Sequence, residues 1–243
     1  YFAFNKNSLL HFGLIGKSLK HSFSERYFNV LFKKQGLVNY KYSLYEIDNI
    51  EKIRSLFDHD SLLKGVNVTI PYKSSVIPFL DELSPEGHSI KAINCILNQN
   101  HKLIGHNTDA EAFEASLNQF IPPNFDSKAL VLGTGGSSKA VCYILDKKNI
   151  NYQLVSRNPP YFEYQNITKD ILNQHKLIIN ASPIGMFPDL TSAPNINYSW
   201  IGTEHFLFDL VYNPENSLFL RRGILQGSHI QNGLEMLYRQ AQL

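Results

Sequence analysis

Apolar and polar positions along the first half of the chain predict strands and helices in alternation. Apolar runs bounded by turn-forming residues predict strands at 11–16, 40–47, 66–70, 92–97 and 102–105, the last two as a hairpin. Helical periodicity predicts helices at 22–36, at 50–57, from about residue 73, and from about residue 109 to Pro122–Pro123. Because proline cannot continue a helix, this diproline is a candidate hinge.

A different pattern begins after the two prolines. A buried strand at 129–132 is followed by a glycine-rich turn at 133–138, a helix, and a second strand at 152–155. This βαβ arrangement places the glycines where a dinucleotide pyrophosphate rests on helix amides. Further strands are predicted at 177–180 and from residue 206, and a last helix from about residue 232. The alternation of strands and helices predicts an α/β protein.

The residues that close the second strand of this βαβ unit, Ser156-Arg157-Asn158, indicate which dinucleotide would bind. An NAD site usually has Asp or Glu there to accept hydrogen bonds from the ribose hydroxyls, whereas arginine suits a 2′-phosphate. An arginine closing a strand is also common on surfaces without any ligand. Because a glycine turn precedes it, we interpret Arg157 as a sign of NADP.

The stretch 65–73 carries the first candidate for chemistry. An apolar run is stopped by Pro71, which is favoured at the first position of a helix, so Lys73 is predicted near a helix N-terminus. The positive end of the helix dipole disfavours a cation there, and a structural sequence would more often have Asp or Glu. Taken alone, Lys73 is best interpreted as a solvated lysine, and the same holds for Gln240 as an exposed polar residue.

Two serines near the start of the first predicted helix allow two interpretations. Ser22, with Glu25 three residues later, has the form of a capping box, in which the hydroxyl only satisfies backbone amides. Alternatively, Ser22 and Ser24 offer hydroxyls and a favourable dipole to an anion such as a carboxylate. On these residues alone the capping box is the preferred interpretation.

Composition narrows the class of protein. The 243 residues carry a net charge of +2, too small to indicate nucleic acid or an anionic membrane as the main partner. No apolar run is long enough to span a bilayer, and residues 1–7 lack the features of a secretory signal. Cys95 and Cys142 lack metal-ligand spacing, so we expect free thiols in a reducing cytoplasm and no metal.

Several segments, taken together and in order, resemble the shikimate dehydrogenases of aromatic amino-acid biosynthesis, and the resemblance extends over nearly the whole chain from Phe12. The segments are Gly16 with His21-Ser22-Phe23-Ser24, the run 67–73 (Asn-Val-Thr-Ile-Pro-Tyr-Lys), Ala92-Ile93-Asn94, Asn107-Thr108-Asp109, the glycine turn 133–138, the run 180–186, the run 209–214, and 233–237 with Gln240. Each motif is modest, but so many in the family's order make the resemblance specific.

The resemblance implies two domains. Residues 1–108, joined by a C-terminal helix at 229–243, would form an α/β substrate-binding domain. Residues 109–228 would form a Rossmann-type NADP-binding domain.

The resemblance also implies an activity, the reversible NADPH-dependent reduction of 3-dehydroshikimate to shikimate, in a cytoplasmic monomer or homodimer. Lys73 and Asp109 would be catalytic. The implied substrate-binding residues are Ser22, Ser24, Thr69, Asn94, Tyr212 and Gln240. The implied cofactor-binding residues are Gly133, Gly135, Gly136, Ser137, Ser138, Ser156, Arg157, Asn180, Met186 and Gly233.

The sequence departs from the family's pattern at several positions. Lys91 stands where glycine is common and Cys95 where threonine is usual; Ser18, Ser182 and Ser217 also differ. None of these removes a group that the chemistry needs, but Lys91 leaves open a change in loop geometry or substrate preference. The alternatives are a quinate/shikimate dehydrogenase of broader substrate or cofactor use, and a non-catalytic relative that binds the metabolite. A folate-type dehydrogenase lacks support from the serine and Asn107-Thr108-Asp109 segments.

Overall fold

The computed structural model describes residues 9–20 and 22–243. The chain divides into two compact units, one ending at Asn107 and the other comprising Thr108–Leu243. This boundary lies one residue before the predicted one, and Pro122–Pro123 lies inside the second unit. The expectation for residues 1–7 and the motif residue His21 fall outside the described residues.

The first unit is built on a six-stranded mixed sheet with the strand order β2-β1-β3-β5-β6-β4. β1 pairs in parallel with β2 and β3, whereas β5 is antiparallel to both β3 and β6. The elements are β1 (Leu10–Gly16), α1 (Ser24–Lys34), β2 (Tyr40–Glu46), α2 (Ile53–His59), β3 (Leu63–Val68), β4 (Glu82–Leu83), α3 (Pro85–Ile90), β5 (Cys95–Gln99) and β6 (Lys102–His106).

Local chemistry explains several boundaries in this unit. Gly36 follows α1 with a φ of 70°, and the Leu37 amide donates to the Phe32 carbonyl, so glycine ends the helix as predicted. The predicted hairpin is confirmed: β5 and β6 are joined at Asn100 and His101, both at positive φ, as a two-residue turn requires.

The predicted helix beginning near Lys73 is wrong. Residues 70–76 form turns, followed by a short 3-10 helix at Ile77–Phe79. The Lys73 carbonyl accepts a hydrogen bond from the Ile93 amide at 2.6 Å, where a helix would require the amide of Ile77. Pro78 has no amide to donate to Ser74. Two successive helical hydrogen bonds are therefore lost, and the chain turns instead.

The second unit contains a six-stranded sheet in which every pairing is parallel, with the order β12-β11-β10-β7-β8-β9. Its elements are α4 (Asp109–Phe120), β7 (Ala129–Leu132), α5 (Gly136–Lys147), β8 (Tyr152–Ser156), β9 (Phe162–Glu163), α6 (Lys169–Gln174), β10 (Leu177–Asn180), β11 (Phe206–Asp209), α7 (Leu218–Leu225), β12 (His229–Gln231) and α8 (Leu234–Gln240). Numbered within this sheet alone, the order is that of a Rossmann fold, with reversal between β7 and β10.

The central strands of this sheet are buried on both faces. β7 and β10 consist almost entirely of fully buried residues, as parallel strands covered by helices on both sides require. The predicted α/β class with a Rossmann-type second domain is therefore confirmed.

The C-terminal segment 229–243 lies in the second unit, where α8 packs against α4. Its predicted association with the first domain stays a prediction. None of the helices formed by the described residues has the length and apolar character needed to cross a membrane.

Candidate functional site

The predicted substrate-binding residues of the first unit lie next to the ends of strands, at one common edge of its sheet. β1 and β3 are parallel, so the segments that follow them leave at the same edge; β5 is antiparallel to β3 and begins there. The Thr69 amide donates to the Ile15 carbonyl at 2.9 Å, and the Val68 amide donates to the Asn94 carbonyl at 2.8 Å. Thr69 and buried Asn94 therefore lie at a common edge.

Ser22 lies on the connection from β1 to α1, and Ser24 is the first residue of α1, at the same edge. Phe23 occupies the N-cap position of α1, and the Ser22 hydroxyl accepts a hydrogen bond from the Ser24 amide at 3.2 Å. The predicted capping box with Glu25 is therefore wrong, because Ser22 lies one position too early to cap the helix. Its hydroxyl proton has no part in this bond and is free to be donated elsewhere.

Lys73 lies on the turns that follow β3, half-buried and beside the start of β5. Two contacts hold these turns against the segment before β5: the Ile93 amide donates to the Lys73 carbonyl, and the Ser74 hydroxyl donates to the Lys91 carbonyl at 3.2 Å. These contacts fix the Lys73 backbone beside Asn94.

Sequence reasoning missed a polar group next to these residues. The Tyr42 hydroxyl donates to Asn67 Oδ1 at 2.7 Å, and the Asn29 side chain bonds both backbone groups of Tyr42, at 2.8 and 2.9 Å. The Ser24 hydroxyl interacts with the same phenol, whose pKa is raised well above its usual value by burial. The signal for this group was a polar Asn67 inside an otherwise apolar strand.

Cys95 lies opposite Asn67 in the pairing of β3 with β5. Desolvation raises the pKa of its thiol to about 11, so the group is neutral at physiological pH. The departure from the usual threonine therefore adds no charge to this edge of the sheet. Both cysteines are free thiols, as predicted.

The glycine turn of the second unit has the geometry of an anion site. Gly133 has a φ of 121°, and a Cβ there would lie 3.0 Å from the Ala181 carbonyl, so only glycine fits. Gly135 is the N-cap of the twelve-residue helix α5, has no side chain to cap it, and faces open space. Amides at this helix end, next to the reversal of strand order, suit a pyrophosphate.

The serines of this turn differ in what they offer. Ser138 is buried, and its hydroxyl donates to the Gly135 carbonyl at 2.6 Å, so its side chain shapes the turn. Ser137 is half-buried and Gly136 begins the helix. The predicted role of Ser138 in binding an anion would therefore fall to its backbone amide.

The end of β8 has the form expected of a 2′-phosphate site. The Ser156 hydroxyl accepts from the Asn158 amide at 3.3 Å, and Arg157 is exposed between them. Tyr164 lies close enough for the guanidinium to lower its pKa, against the larger raising effect of burial. Arg157 is therefore accessible and stands beside an aromatic ring.

Three predicted residues lie elsewhere in the second unit. Asp109 is buried in the first turn of α4, where the helix dipole favours a carboxylate. Thr108 donates to the Gln240 carbonyl at 3.1 Å, and the Gln240 side chain donates to the Leu237 carbonyl at 3.1 Å, which ties α8 to the start of α4. Tyr212 follows β11 half-buried, and burial raises its pKa.

Asn180 and Gly233 have structural roles in the second unit that their sequence context did not indicate. Asn180 Nδ2 donates to Ile184 and to Asp209, and Asn180 Oδ1 accepts from the amide and hydroxyl of Ser182. All the usual hydrogen-bonding positions of this side chain are therefore used. A Cβ at Gly233 would lie 2.2 Å from the Leu210 carbonyl, so glycine is required for packing. The roles of both in cofactor binding stay predictions, as does that of exposed Met186.

Comparison with known proteins gives consistent matches. The sequence model of the shikimate dehydrogenase substrate binding domain matches residues 14–96. The shikimate dehydrogenase (NADP(+)) of Clostridium beijerinckii is 38% identical, over 95% of this chain and 88% of that protein.

Solved structures agree with the sequence comparison. Shikimate dehydrogenase 1 from Peptoclostridium difficile superposes with a TM-score of 0.84 at 31% identity, covering 96% of this chain and 88% of that one. Shikimate 5-dehydrogenase from Thermus thermophilus, solved with NADP(H) and shikimate, gives a TM-score of 0.82 at 29% identity, covering 95% of this chain and 90% of that one. The chain belongs to the shikimate dehydrogenase family.

Proposed function

We propose that this protein catalyses the reversible, NADPH-dependent reduction of 3-dehydroshikimate to shikimate in aromatic amino-acid biosynthesis. The observation that carries the proposal is the set of side chains at one edge of the first sheet. Hydroxyls from Ser22, Ser24 and Thr69, the amide of Asn94 and the ammonium of Lys73 are suited to a small acid that bears several hydroxyls.

Each substrate group has a matching side chain. Ser22 and Ser24 hold the carboxylate, because the structure leaves the Ser22 hydroxyl proton available for donation. Thr69 and Asn94 bind ring hydroxyls. Tyr212 and Gln240 also bind the substrate.

The second unit fits NADP(H) by its backbone. The open space at Gly135 and the glycine-capped start of α5 leave room for a pyrophosphate, which Gly133, Gly136 and the amides of Ser137 and Ser138 surround. Ser156 and Arg157 bind the 2′-phosphate. When bound, the dinucleotide supplies the hydride; the protein binds, orients and supplies one proton.

Lys73 supplies that proton. A ketone oxygen that receives a hydride develops negative charge, and an ammonium at hydrogen-bond distance both stabilises this charge and donates a proton. Asp109 is the acidic member of the catalytic pair. The turns that fix the Lys73 backbone beside Asn94 give the ammonium a defined starting position.

Three further features belong to the proposal. Residues 1–108 with the C-terminal helix 229–243 form the substrate-binding domain, and 109–228 the cofactor-binding domain. The protein acts in the cytoplasm, where its two cysteines remain reduced. It is a monomer or a homodimer.

A spectrophotometric assay tests the function. The purified chain is mixed with shikimate and NADP, and the appearance of reduced nicotinamide is followed, beside shikimate with NAD, quinate with NADP and quinate with NAD. We expect kcat/KM to be highest for shikimate with NADP, because Arg157 matches the 2′-phosphate.

Comparable rates with quinate would indicate a quinate/shikimate dehydrogenase. Binding of shikimate and NADP without turnover, measured by calorimetry, would indicate a non-catalytic relative. Either result would overturn the proposal as stated.

A further inference from the structure

Asp209, the last residue of β11, is a fully buried carboxylate with no role in the chemistry described above. Its Oδ1 accepts from Asn180 Nδ2 at 2.9 Å and from the Val211 amide at 3.0 Å, and its Oδ2 accepts from the Ser217 hydroxyl at 2.5 Å. An ionised carboxylate is an acceptor only, and here it faces three donors from three different segments.

One of these donors, Asn180, governs the loop after β10. Asn180, held by Asp209, in turn bonds the Ser182 amide at 3.2 Å and hydroxyl at 2.6 Å, and donates to the Ile184 carbonyl at 3.2 Å. The loop 181–187 is thus folded around one amide side chain. Asp209 is one of the groups that fix the orientation of this side chain, by accepting from its Nδ2.

The other donors govern the loop after β11. The Val211 amide is adjacent to Tyr212, and Ser217 is the N-cap of α7, where its hydroxyl accepts from the Leu220 amide at 3.3 Å. The two loops also touch directly, because the Phe187 amide donates to the Asn213 carbonyl at 3.0 Å. Asp209 therefore ties both ends of loop 210–217 to loop 181–187.

We propose that Asp209 is a positioning residue for the reaction, which holds loops 181–187 and 210–217 in the single arrangement that presents Met186 and Tyr212 to cofactor and substrate. This inference rests on the proposed function, since it assigns the two loops to the same reaction. Asp209 itself touches neither reactant. It acts through Asn180, Val211 and Ser217.

Burial raises the pKa of the Asp209 carboxyl to about 6, with the three hydrogen bonds opposing this rise. The charged form is therefore held in an unfavourable environment, although an apolar residue would suit the end of a buried strand better. Three donors meet at this point, and the two oxygens of a carboxylate accept hydrogen bonds from all of them. This explains why an aspartate, and not an apolar residue, ends the strand.

The test compares Asp209→Ala with Asp209→Asn. Alanine removes all three bonds, whereas the asparagine Oδ1 still accepts from Asn180 and Val211 and its Nδ2 donates to the Ser217 hydroxyl. We expect Asp209→Ala to raise the KM values for NADP and shikimate about tenfold or more, and Asp209→Asn to restore most of that loss. Asp170→Ala, which removes an exposed carboxylate on α6, serves as the matched control and should change neither value.

Amide hydrogen exchange gives a readout that does not depend on activity. In Asp209→Ala, exchange in peptides covering 181–187 and 210–217 should accelerate by about tenfold or more, while peptides from β7 and β8 keep their protection. If wild type lacks shikimate activity but these two loops still respond together, the tie between them stands and the proposed function fails.

Two results would overturn the positioning role itself. One is a lower melting temperature with unchanged KM values and unchanged exchange in both loops, which would make Asp209 merely a stabilising residue. The other is an increase in the KM values that is as large in Asp209→Asn as in Asp209→Ala. This would mean that the charge of Asp209 matters and not its hydrogen-bonding geometry. If Asp209→Ala does not fold, Ser217→Ala removes one tie alone and should affect loop 210–217 more than loop 181–187.

Discussion

The two units differ in which groups are suited to bind a ligand: side chains in the first unit and the backbone in the second. In the first unit, a mixed sheet brings hydroxyl, amide and ammonium side chains to one edge. In the second unit, an all-parallel sheet presents a glycine turn in which Gly135, the N-cap of α5, faces open space. Polyhydroxy acids differ in the positions of their hydroxyl groups, so side chains are needed to distinguish one acid from another. Pyrophosphate is common to all dinucleotides, so backbone amides are sufficient to bind it.

This comparison predicts where single changes act. Truncating side chains in the first unit should affect turnover and substrate KM. Among the side chains that contact the cofactor in the second unit, Arg157 should matter most, because it distinguishes one dinucleotide from another. The following variants test that division, starting with the largest expected effect.

Lys73→Ala should lower kcat by about 10²- to 10⁴-fold, because a positioned proton donor contributes about that much. The KM for shikimate should change far less, since other side chains carry substrate binding. Steady-state kinetics with NADP saturating measures both. Lys102→Ala is the control: this exposed lysine forms a 2.6 Å ion pair with Glu82 in the same unit, and its loss should leave kcat unchanged. Near-normal turnover in Lys73→Ala would refute the assignment of Lys73 as proton donor.

Arg157→Ala should reduce the preference for NADP over NAD by about tenfold or more, since a charge-assisted bond to a phosphate is worth about 1.5–3 kcal/mol. The kcat with shikimate should remain close to wild type. The measurement is kcat/KM for each dinucleotide. Arg221→Ala removes an exposed arginine from α7 of the same unit and should leave the ratio unchanged. A ratio that does not move in Arg157→Ala would show that the 2′-phosphate is bound elsewhere.

Ser22→Ala should raise the KM for shikimate by about tenfold, because it removes one hydroxyl donor to a carboxylate, with little effect on melting temperature. Ser84→Ala provides the contrasting control. Ser84 is the N-cap of α3 and accepts from the Gly87 amide at 3.1 Å, so its loss should cost about 1 kcal/mol of stability and leave KM unchanged. If Ser22→Ala behaves like Ser84→Ala, Ser22 has only a structural role.

Strongly periodic and glycine-marked segments were predictable from the sequence. β7 and β10 have the predicted bounds, and the strand-turn-helix unit at Gly133 has the predicted geometry, because four-residue apolar strands and positive-φ glycines are determined locally. Short elements such as α3 were missed, although Ser84 and Pro85 have the types favoured at the N-cap and first position of a helix.

What the sequence left unresolved depends on distant partners. The turn at Lys73 is fixed by the Ile93 amide, twenty residues away, and the preference of Pro71 for helix starts gave no sign of it. In the sequence, Asp209 has a place at a strand end and in the run 209–214 but no partner, since its links to Asn180 and Ser217 form only once the strands are side by side. The local sequence pattern locates candidate residues. Hydrogen bonds between distant segments determine which of these residues are held in place and which residues hold them.

At Lys91, in the first unit, backbone conformation favours one type of residue, as it does in the glycine turn of the second unit. Lys91 follows α3 with a φ of 55°, in the left-handed region where glycine is favoured, and its side chain is exposed. Lys91→Gly should therefore stabilise the protein by about 0.5–1 kcal/mol, since relief of the left-handed strain exceeds the added freedom of the unfolded chain. Chemical denaturation measures this, with Lys41→Gly in strand β2 as a control that should destabilise. The KM for shikimate should stay within about twofold of wild type, because the fixed part of this loop is the Lys91 carbonyl, which accepts from Ser74 and is kept in the glycine variant. A large change in KM would mean that the lysine side chain itself takes part in substrate selection. Lys91 would then act through its side chain, like the other candidate residues of the first unit, and not through its backbone.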